Sequence, residues 1–335
     1  MHFARPTRRW LGKGLLAGLF AAFAATSALA EYPDKPIQLV VPFAAGGSLD
    51  VTARIIADRL KEKDLLGQPV IINNRPGAGS AVGARAVASA APDGYTLFFT
   101  SGSAFGYLHM LVPNLDLKLD DFVSVAAVAV NPSVIVATNK LPVKSLQELA
   151  NYPKPGEISF CSTGANGLNH LQLEMFKRAV KAKTGREFNV THVPYNGLAP
   201  ALTAVREGSI HACVLPYASL VKQLNGKDLR VLAVQSHRRL PWLPDVPTTG
   251  QQGFPELDGN DAFVNVQAPK GTPPAVVARL EQALEKAMQD PTVRKKLEEL
   301  EVQVAWMNSR ETQKWLQEDV RRLGTVIREA GLEAK

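Results

Sequence analysis

Short apolar runs alternate with segments of helical periodicity along most of this chain, and no other feature restricts its fold as strongly. Residues 37–43 (IQLVVPF), 70–73 and 95–100 (YTLFFT) are typical of buried strands. Residues 49–60 and 81–90 lie between them and carry apolar side chains at helical spacing. Strands that are joined through helices pair in parallel with right-handed connections. The alternation therefore predicts a β-α-β-α-β half of a parallel sheet.

The same alternation begins again in the second half of the chain. It predicts strands at residues 158–161, 190–195, 210–215 and 229–234, and helices at residues 168–182, 200–207 and 218–224. Between the two sets, residues 123–138 form a long apolar segment that Asn131-Pro132 interrupts, which is typical of a chain crossing between two domains. Residues 263–268 predict the return crossing. The tail predicts three helices, at residues 274–289, 291–300 and 310–330.

Two crossings between two α/β units define the expected domain organisation. We predict a signal peptide at residues 1–30, a first lobe of residues 31–128 and 262–335, and a second lobe of residues 129–261. About 300 residues after the signal peptide are enough for two lobes with their own cores. Lobes that are joined by two crossings can rotate about them, so we expect a ligand cleft that opens and closes.

The first 30 residues have the composition of an export signal. An uncharged stretch ends in the small-residue cleavage site Ala28-Leu29-Ala30, and four cations precede it, namely Arg5, Arg8, Arg9 and Lys13. We therefore expect cleavage near Ala30 and a periplasmic mature chain. A retained membrane anchor is the alternative, although the apolar run is shorter than the roughly 20 residues that span a bilayer. The arginine pair leaves the export route, Sec or twin-arginine, open.

Charge and cysteine content exclude several classes of partner and cofactor. The formal charge of the whole chain is +7, and removing the four leader cations lowers it to +3, so we expect no nucleic-acid partner. Cys161 and Cys213 are the only cysteines, too few for a zinc site, and we expect no metal and no cofactor. An oxidising compartment favours a disulfide between them, but adjacent parallel strands rarely offer the required geometry, which leaves the pairing open.

A glycine-rich loop follows the first predicted strand and leads into the first predicted helix. This first loop, residues 44–50 (AAGGSLD), carries a serine at the N-cap position and an aspartate in the first helical turn. Glycines let the backbone approach a ligand closely, and the free N–H groups and positive dipole end of a helix start attract anions. The first loop therefore predicts a seat for a carboxylate, with candidate residues Phe43, Ala45, Gly46, Gly47, Ser48 and Asp50.

A second loop of the same design, residues 162–170 (STGANGLNH), follows the strand predicted at residues 158–161. Its candidate residues are Ser162, Thr163, Gly164, Asn166, Asn169 and His170. If each lobe contributes one loop, a carboxylate between them is held by backbone N–H groups and hydroxyls, without a Lys or Arg. The alternative is that both are ordinary strand-to-helix turns, in which Gly and Ser are common. The candidate set is completed by residues at the ends of other predicted strands, namely Ser101, Ser103, Tyr195 and Pro216.

Several motifs make the chain similar to a known family. In chain order they are residues 32–37 (YPDKPI), 41–50 (VPFAAGGSLD), 74–79 (NRPGAG), 91–97 (APDGYTL), 192–195 (HVPY), 243–248 (LPDVPT) and 268–273 (APKGTP). With them the chain resembles the substrate-binding proteins of tripartite tricarboxylate transporters, the Bug family, over essentially its whole mature length.

The resemblance implies a type II periplasmic-binding-protein fold, in which two Rossmann-like lobes are joined by two crossover strands. It implies that the two loops hold a ligand carboxylate, partly through ordered water, and that the ligand is a mono-, di- or tricarboxylate, including aromatic acids. The implied partners are membrane permease subunits of a tripartite transporter, or a sensor protein, and we expect a monomer. The sequence departs from the family at His211, Leu215, Pro216 and residues 167–169, so the far end of the ligand is not predicted beyond a preference for an apolar, aromatic or water-solvated group.

Catalytic alternatives have weaker support in the sequence. Three glycines, Gly77, Gly79 and Gly83, follow the second predicted strand but depart by one residue from the dinucleotide-binding spacing. Cys161 with His170 or His192 would be a nucleophile and base on the same fold, although a small apolar role for the cysteine is the simpler interpretation. We therefore predict a binding protein and no enzyme, with a secreted hydrolase as the remaining alternative.

Overall fold

The computed structural model describes residues 32–152, 157–164, 167–195, 197–220, 224 and 227–334, and the predicted signal peptide lies outside them. The strands in chain order are β1 (Ile37–Val41), β2 (Val70–Asn74), β3 (Thr96–Ser101), β4 (Phe122–Asn131), β5 (Ser133–Thr138), β6 (Ser159–Ser162), β7 (Thr191–Pro194), β8 (Ala212–Pro216), β9 (Leu229–Val234), β10 (Ala262–Pro269) and β11 (Gln303–Met307). The α-helices are α1 (Ser48–Leu60), α2 (Ala81–Ala88), α3 (Ala104–Tyr107), α4 (Leu146–Ala150), α5 (Leu168–Thr184), α6 (Leu198–Glu207), α7 (Pro274–Gln289), α8 (Pro291–Glu298) and α9 (Ser309–Glu329).

These strands form two mixed sheets. The first sheet has the order β11-β4-β10-β3-β1-β2, and the second has the order β7-β6-β8-β5-β9. In the first sheet β1 runs parallel to β2 and β3, and β10 runs antiparallel to β3 and β4. In the second sheet β6 runs parallel to β7 and β8, and β5 runs antiparallel to β8 and β9. Consequently the loops after β1 and β3 leave one edge together, as do those after β6, β7 and β8.

The chain passes between the sheets twice, as the sequence predicts. The first crossing is at Pro132, between the end of β4 and the start of β5, and the second enters β10 after Asn260 and Asp261. Ala262 pairs with Asn131 in the first sheet, so the two crossings lie side by side. The lobe boundaries at 128/129 and 261/262 stay predictions.

Apolar side chains cover both faces of each sheet. One face of the first sheet packs on α1 and α7 and the other on α2 and α3, through clusters that contain Ile56 and Phe105. One face of the second sheet packs on α5 and the other on α6. The cluster around α5 also includes Leu323, Val326 and Ile327 of α9. The C-terminal helix therefore connects the second lobe to the first.

Capping groups in the sequence fix several helix ends. The Asp290 side chain accepts hydrogen bonds from the first turn of α8, where Pro291 supplies the preset φ of a first helical residue. Asn308 and Glu311 form a reciprocal capping box at the start of α9. Gly185 ends α5 in the left-handed conformation, at φ +70°.

Two predicted regions differ from the structure. The segment predicted as a helix at residues 218–224 begins instead as a 3₁₀ helix, Tyr217–Ser219, and residues 221–223 lie outside the described residues. The tail, predicted as helices alone, also contains β11. This strand is short, lies at the sheet edge and is half-buried along most of its length, so its residues carry little of the pattern that identifies buried strands.

Cys161 and Cys213 form a disulfide in the second sheet. They are direct partners in the parallel ladder between β6 and β8, with Cα atoms 4.7 Å apart. The structure thus contains the disulfide that the sequence left undecided. Within the described ranges, none of the helices combines the length and the apolar character that crossing a membrane requires.

Candidate functional site

The first loop is exposed at the carboxyl end of β1 and turns into α1 at Gly47. Gly46 has φ +82°, a conformation that favours glycine. Gly47 is the N-cap, and the first helical hydrogen bond runs from Val51 N–H to the Gly47 carbonyl, at 3.0 Å. The N–H groups of Ser48, Leu49 and Asp50 precede that bond and therefore have no acceptor within the helix. The start of α1 thus offers backbone donors to a ligand.

The Asp50 side chain holds the first loop in shape. Its carboxylate is buried and accepts hydrogen bonds from Gly46 N–H at 2.8 Å, from Arg54 at 3.0 Å to each oxygen, and from Asn74 at 2.9 Å. Asn74 also donates to the Phe43 carbonyl, at 3.0 Å. Burial raises the pKa of Asp50, but these hydrogen bonds outweigh it and hold the pKa below its usual value. The negative charge of Asp50 is therefore paired with the Arg54 guanidinium of α1.

In the second loop, the buried Ser162 hydroxyl is engaged internally. Ser162 Oγ donates to the Gly164 carbonyl at 2.9 Å and lies 2.8 Å from His192 Nε2. A hydroxyl has a single proton, so both contacts are satisfied when His192 Nε2 carries a proton and donates to Ser162. Ser162 and His192 together fix the turn before α5.

The start of α5 repeats the geometry of α1. Gly167 is the N-cap, and the Leu171 N–H donates to its carbonyl at 3.1 Å. The N–H of Leu168 and of Asn169 precede the helical hydrogen bonds. The Thr163 hydroxyl donates to Asn169 Oδ1 at 2.8 Å, which connects the first residues of the loop to the first turn of the helix. Asn166, another predicted ligand residue, lies outside the described residues.

His170 stacks on His192 behind this turn. The ring centroids are 4.0 Å apart and the planes differ by 11°. Burial lowers the pKa of His170, and burial together with the neighbouring His170 ring lowers the pKa of His192 to about 4. Both imidazoles are therefore neutral at physiological pH, and the second loop contributes no full positive charge.

A third loop, residues 101–103, lies beside the second loop. It follows β3, the neighbour of β1, so it leaves the first sheet beside the first loop. A methyl group on Gly102 would lie 3.7 Å from Leu168 Cδ2, at the start of α5. The Ser101 hydroxyl donates to the Ala262 carbonyl at 3.4 Å, and the buried Ser103 hydroxyl donates to Asp319 at 2.6 Å. The third loop therefore lies close to the second loop, and its hydroxyls bond to protein groups.

The remaining candidates, Tyr195 and Pro216, lie at the edge of the second sheet from which the second loop leaves. Tyr195 follows β7, and its N–H donates to the Ser162 carbonyl at 3.0 Å. Pro216 ends β8 opposite Ser133 of β5. Both residues are partly exposed, and Ala45, Gly46 and Gly47 in the first loop are exposed, so all five are accessible to a ligand.

Three polar residues that organise these loops were missed in the sequence. Arg54 could have been found, because it lies four residues after Asp50 on the same helix, a spacing at which opposite charges pair. Asn74 and Gln172 reach partners that are distant along the chain, Phe43 and Asn260, so no local pattern reveals them.

Comparisons with known proteins agree with this architecture. Residues 52–332 match the family described as "Tripartite tricarboxylate transporter family receptor". The chain is 34% identical to Protein BugT of Bordetella pertussis over 325 residues, which cover 95% of this chain and 97% of BugT. It is similar to the structure of the periplasmic binding protein BugD, with a TM-score of 0.77 and 29% identity, covering 91% of this chain and 100% of that one.

A second solved structure to which the chain is similar is MatC from Rhodopseudomonas palustris with bound malate. The TM-score is 0.75 at 30% identity, and the match covers 88% of this chain and 100% of MatC. These findings confirm the predicted family and the predicted α/β fold of a periplasmic binding protein. The family match covers well over half of the chain, and the likeness to BugT extends over nearly all of it. The chain therefore belongs to the tripartite tricarboxylate transporter family receptors.

Proposed function

We propose that the mature chain is a periplasmic receptor that captures a small carboxylate between its two lobes and presents it to the permease of a tripartite transporter. The observation that carries this proposal is the pair of glycine-capped helix starts, one in each lobe. Both offer backbone N–H groups without helical acceptors and the positive end of a helix dipole, which together attract anions. Neither loop contains a Lys or Arg, so the backbone supplies the attraction.

In this proposal the backbone contacts the carboxylate and the side chains shape the loops. The donors are the N–H groups of residues 48 and 49 in the first loop and of residues 168 and 169 in the second. Asp50 and Ser162 hold the turns that aim these groups, because each accepts from or donates to the backbone of its own loop, at Gly46 and at Gly164. The predicted site residues thus divide into contact positions and supporting side chains.

Similar proteins support the ligand class and the compartment. MatC, which is 30% identical, has malate bound, and BugD is described as a periplasmic binding protein. The leader-like composition of residues 1–30 agrees with export, and the family description agrees with delivery to a transporter. We therefore extend the carboxylate ligand, the periplasmic location and the permease partner to this chain.

We also propose that the chain binds without catalysing a reaction. The nucleophile and base that the sequence suggests for a hydrolase are Cys161 with His170 or His192. Cys161 is bonded to Cys213 in the structure, so it has no thiolate to offer. Capture and release need donors at the helix starts and no reacting side chain.

A thermal-shift screen tests the ligand class. Purified mature protein is heated with malate, adipate, citrate and benzoate, and with glucose and putrescine as uncharged and cationic comparisons that carry no carboxylate. We expect at least one carboxylate to raise the Tm, because a ligand at 100 times its Kd stabilises the folded state by about 2.7 kcal/mol. The amide of the same compound should have no effect, and calorimetry gives the Kd of the hit. A neutral sugar or a cation as the best ligand would refute the proposal.

A further inference from the structure

A chain of hydrogen bonds runs from the third loop into the C-terminal helix and on to the second crossing. The Ser103 hydroxyl donates to Asp319 Oδ2 at 2.6 Å, and Arg322 donates to Asp319 Oδ1 at 2.5 Å. Arg322 also donates to Asn260 Oδ1. Ser103 and Asp319 are both buried, and Asp319 and Arg322 lie one turn apart on α9. The third loop of the first lobe is thereby connected to Asn260, which precedes β10.

Gln172 continues this chain into the second loop. Its Nε2 donates to the Asn260 carbonyl at 2.9 Å and to Ser133 Oγ at 3.0 Å, and its Oε1 accepts from Asn169 Nδ2 at 3.0 Å. Asn169 in turn accepts from the Thr163 hydroxyl. Gln172 has no exposed surface, and both of its amide protons are used. A buried amide that loses such partners is strongly penalised, so this arrangement fixes the Gln172 side chain.

The partners of Gln172 place it at both crossings at once. Ser133 is the first residue of β5, directly after the first crossing, and Asn260 lies on the second crossing. Rotation of one lobe against the other must alter the chain near these two residues, since the crossings join the two sheets there. Such a change would alter the distances from Gln172 to Ser133 and Asn260, and through Asn169 it would act on the start of α5.

We propose that Gln172 is a positioning residue that couples the relative orientation of the two lobes to the shape of the second loop. This inference rests on the proposed function, in which the start of α5 contacts the carboxylate. The second loop then has a different shape in the open and in the closed arrangement of the lobes. The N–H groups of residues 168 and 169 point at the ligand only when the chain of hydrogen bonds from Ser103 to Thr163 is intact.

The test measures lobe orientation and loop protection without any ligand, so its result does not depend on whether a carboxylate binds. Spin labels are attached after Lys63→Cys in the first lobe, in the turn that follows α1, and after Glu207→Cys in the second, at the end of α6; both positions are exposed. Electron-spin distance measurements give the interlobe distribution, and hydrogen exchange gives the protection of the peptide covering residues 160–172. Gln172→Met removes the amide at nearly constant volume, and Arg322→Met breaks the chain at α9.

We expect both variants to broaden the interlobe distribution and to speed exchange in that peptide by about fivefold to tenfold. The double variant should exceed the larger single effect only slightly, because both substitutions break one connected network. Either single variant suffices if the other does not fold.

Gln252→Met is the matched control. Gln252 is also buried, and its side chain accepts from the Leu146 N–H and donates to the Leu232 carbonyl inside the second lobe, away from both crossings, so its loss should lower stability without changing the interlobe distances or the exchange of the second loop. Equal effects from this control would overturn the proposal. Faster exchange with unchanged distances would overturn it as well, because Gln172 would then hold the second loop only locally.

Discussion

Gly47 and Gly167 cap their helices in the same backbone conformation, one in each lobe. Gly47 has φ −71° and ψ 162°, and Gly167 has φ −79° and ψ 171°. The N–H of each donates at 3.4 Å to the carbonyl three residues earlier, on Ala44 and on Gly164. These angles suit any residue, so neither cap requires glycine for its backbone. The missing side chain instead leaves the helix start open to a ligand.

The first prediction is that a branched side chain at either cap weakens ligand binding. A Cβ would fit, at 3.4 Å from the Ala44 carbonyl for Gly47 and at 3.5 Å from the Gly164 carbonyl for Gly167. Gly47→Val and Gly167→Val should therefore fold, yet cover the helix start and raise the Kd at least tenfold, which corresponds to about 1.4 kcal/mol. Calorimetry with the ligand found by the thermal-shift screen measures the effect.

The control for these variants is a cap at the start of another helix. Asn308→Val removes the capping box of α9, so it should lower the free energy of unfolding and leave the Kd unchanged. Wild-type affinity in both glycine variants would contradict the two-loop site.

The second prediction concerns the carboxylate that shapes the first loop. Asp50→Ala removes a buried carboxylate that accepts hydrogen bonds from Gly46, Arg54 and Asn74, and it should lower the free energy of unfolding by about 2 kcal/mol at pH 7. Because the folded-state pKa of Asp50 is lowered, this contribution is present above the ordinary carboxyl pKa and is lost as the pH falls through the folded-state value. Urea unfolding at pH 7 and pH 3 should show the difference between wild type and variant shrinking at the lower pH.

Asp58→Ala provides the comparison on the same helix. Asp58 is exposed and pairs with Lys61 at 2.5 Å, and exposed pairs contribute little to stability. Similar losses from Asp50→Ala and Asp58→Ala would show that the hydrogen bonds within the first loop carry no special weight.

The third prediction follows from the stacked histidines. The pKa of His192 is lowered to about 4, so between pH 6.5 and 4 the unfolded state binds more protons than the folded state. The free energy of unfolding should therefore decrease as the pH is lowered from 6.5 to 4. His192→Gln keeps an N–H for Ser162 and removes the titration, so the loss of unfolding free energy between pH 7 and pH 5 should be smaller by about 1–2 kcal/mol. Parallel curves for the two proteins in urea unfolding would be evidence against a neutral His192.

Sequence patterns predicted the strands and helices well where burial is periodic. The predicted strand at residues 229–234 is β9, and the glycine-rich loops lie before α1 and α5 as expected. The polar side chains that hold the two loops in shape could not be predicted from such patterns. Gln172 and Asn260 are 88 residues apart, and such a contact exists only after both sheets have formed. Local periodicity reports which face of an element is buried, and it carries no information about distant polar partners.

The fourth prediction concerns the disulfide. Cys161 and Cys213 are 52 residues apart in sequence. In the chain-entropy model, closing a loop of that length raises the free energy of the unfolded chain by about 4 kcal/mol. Thiol counting on unfolded, unreduced protein should find no free thiol. The double variant Cys161→Ala and Cys213→Ala should lose roughly 2–4 kcal/mol of unfolding free energy and become insensitive to a reductant. Two titratable thiols in the wild type would refute the bond.

The last prediction concerns Asp261, on the second crossing. Burial raises the pKa of Asp261 to about 6, although the hydrogen bond from Ser236 and the neighbouring His237 oppose the rise. Its Oδ1 is buried and has no hydrogen-bond partner among the residues the structure describes. Between pH 3.8 and 6 the folded state binds more protons than the unfolded state, so this group lowers stability as the pH rises. Asp261→Asn removes the charge, and at pH 8 it should raise the free energy of unfolding by about 1–2 kcal/mol.

Asp258→Asn, three residues away, is a control for which the expected change in stability has the opposite sign. Asp258 Oδ1 accepts from the Thr249 hydroxyl at 2.6 Å and from Gly250 N–H at 2.8 Å, so its carboxylate is satisfied and its loss should destabilise. Urea unfolding at pH 8 and pH 4 separates the two: the gain from Asp261→Asn should vanish at pH 4, where the wild-type carboxyl is itself protonated. A gain of equal size at both pH values would mean that the charge of Asp261 is not the cause, because only the ionised form is penalised by burial at the crossing.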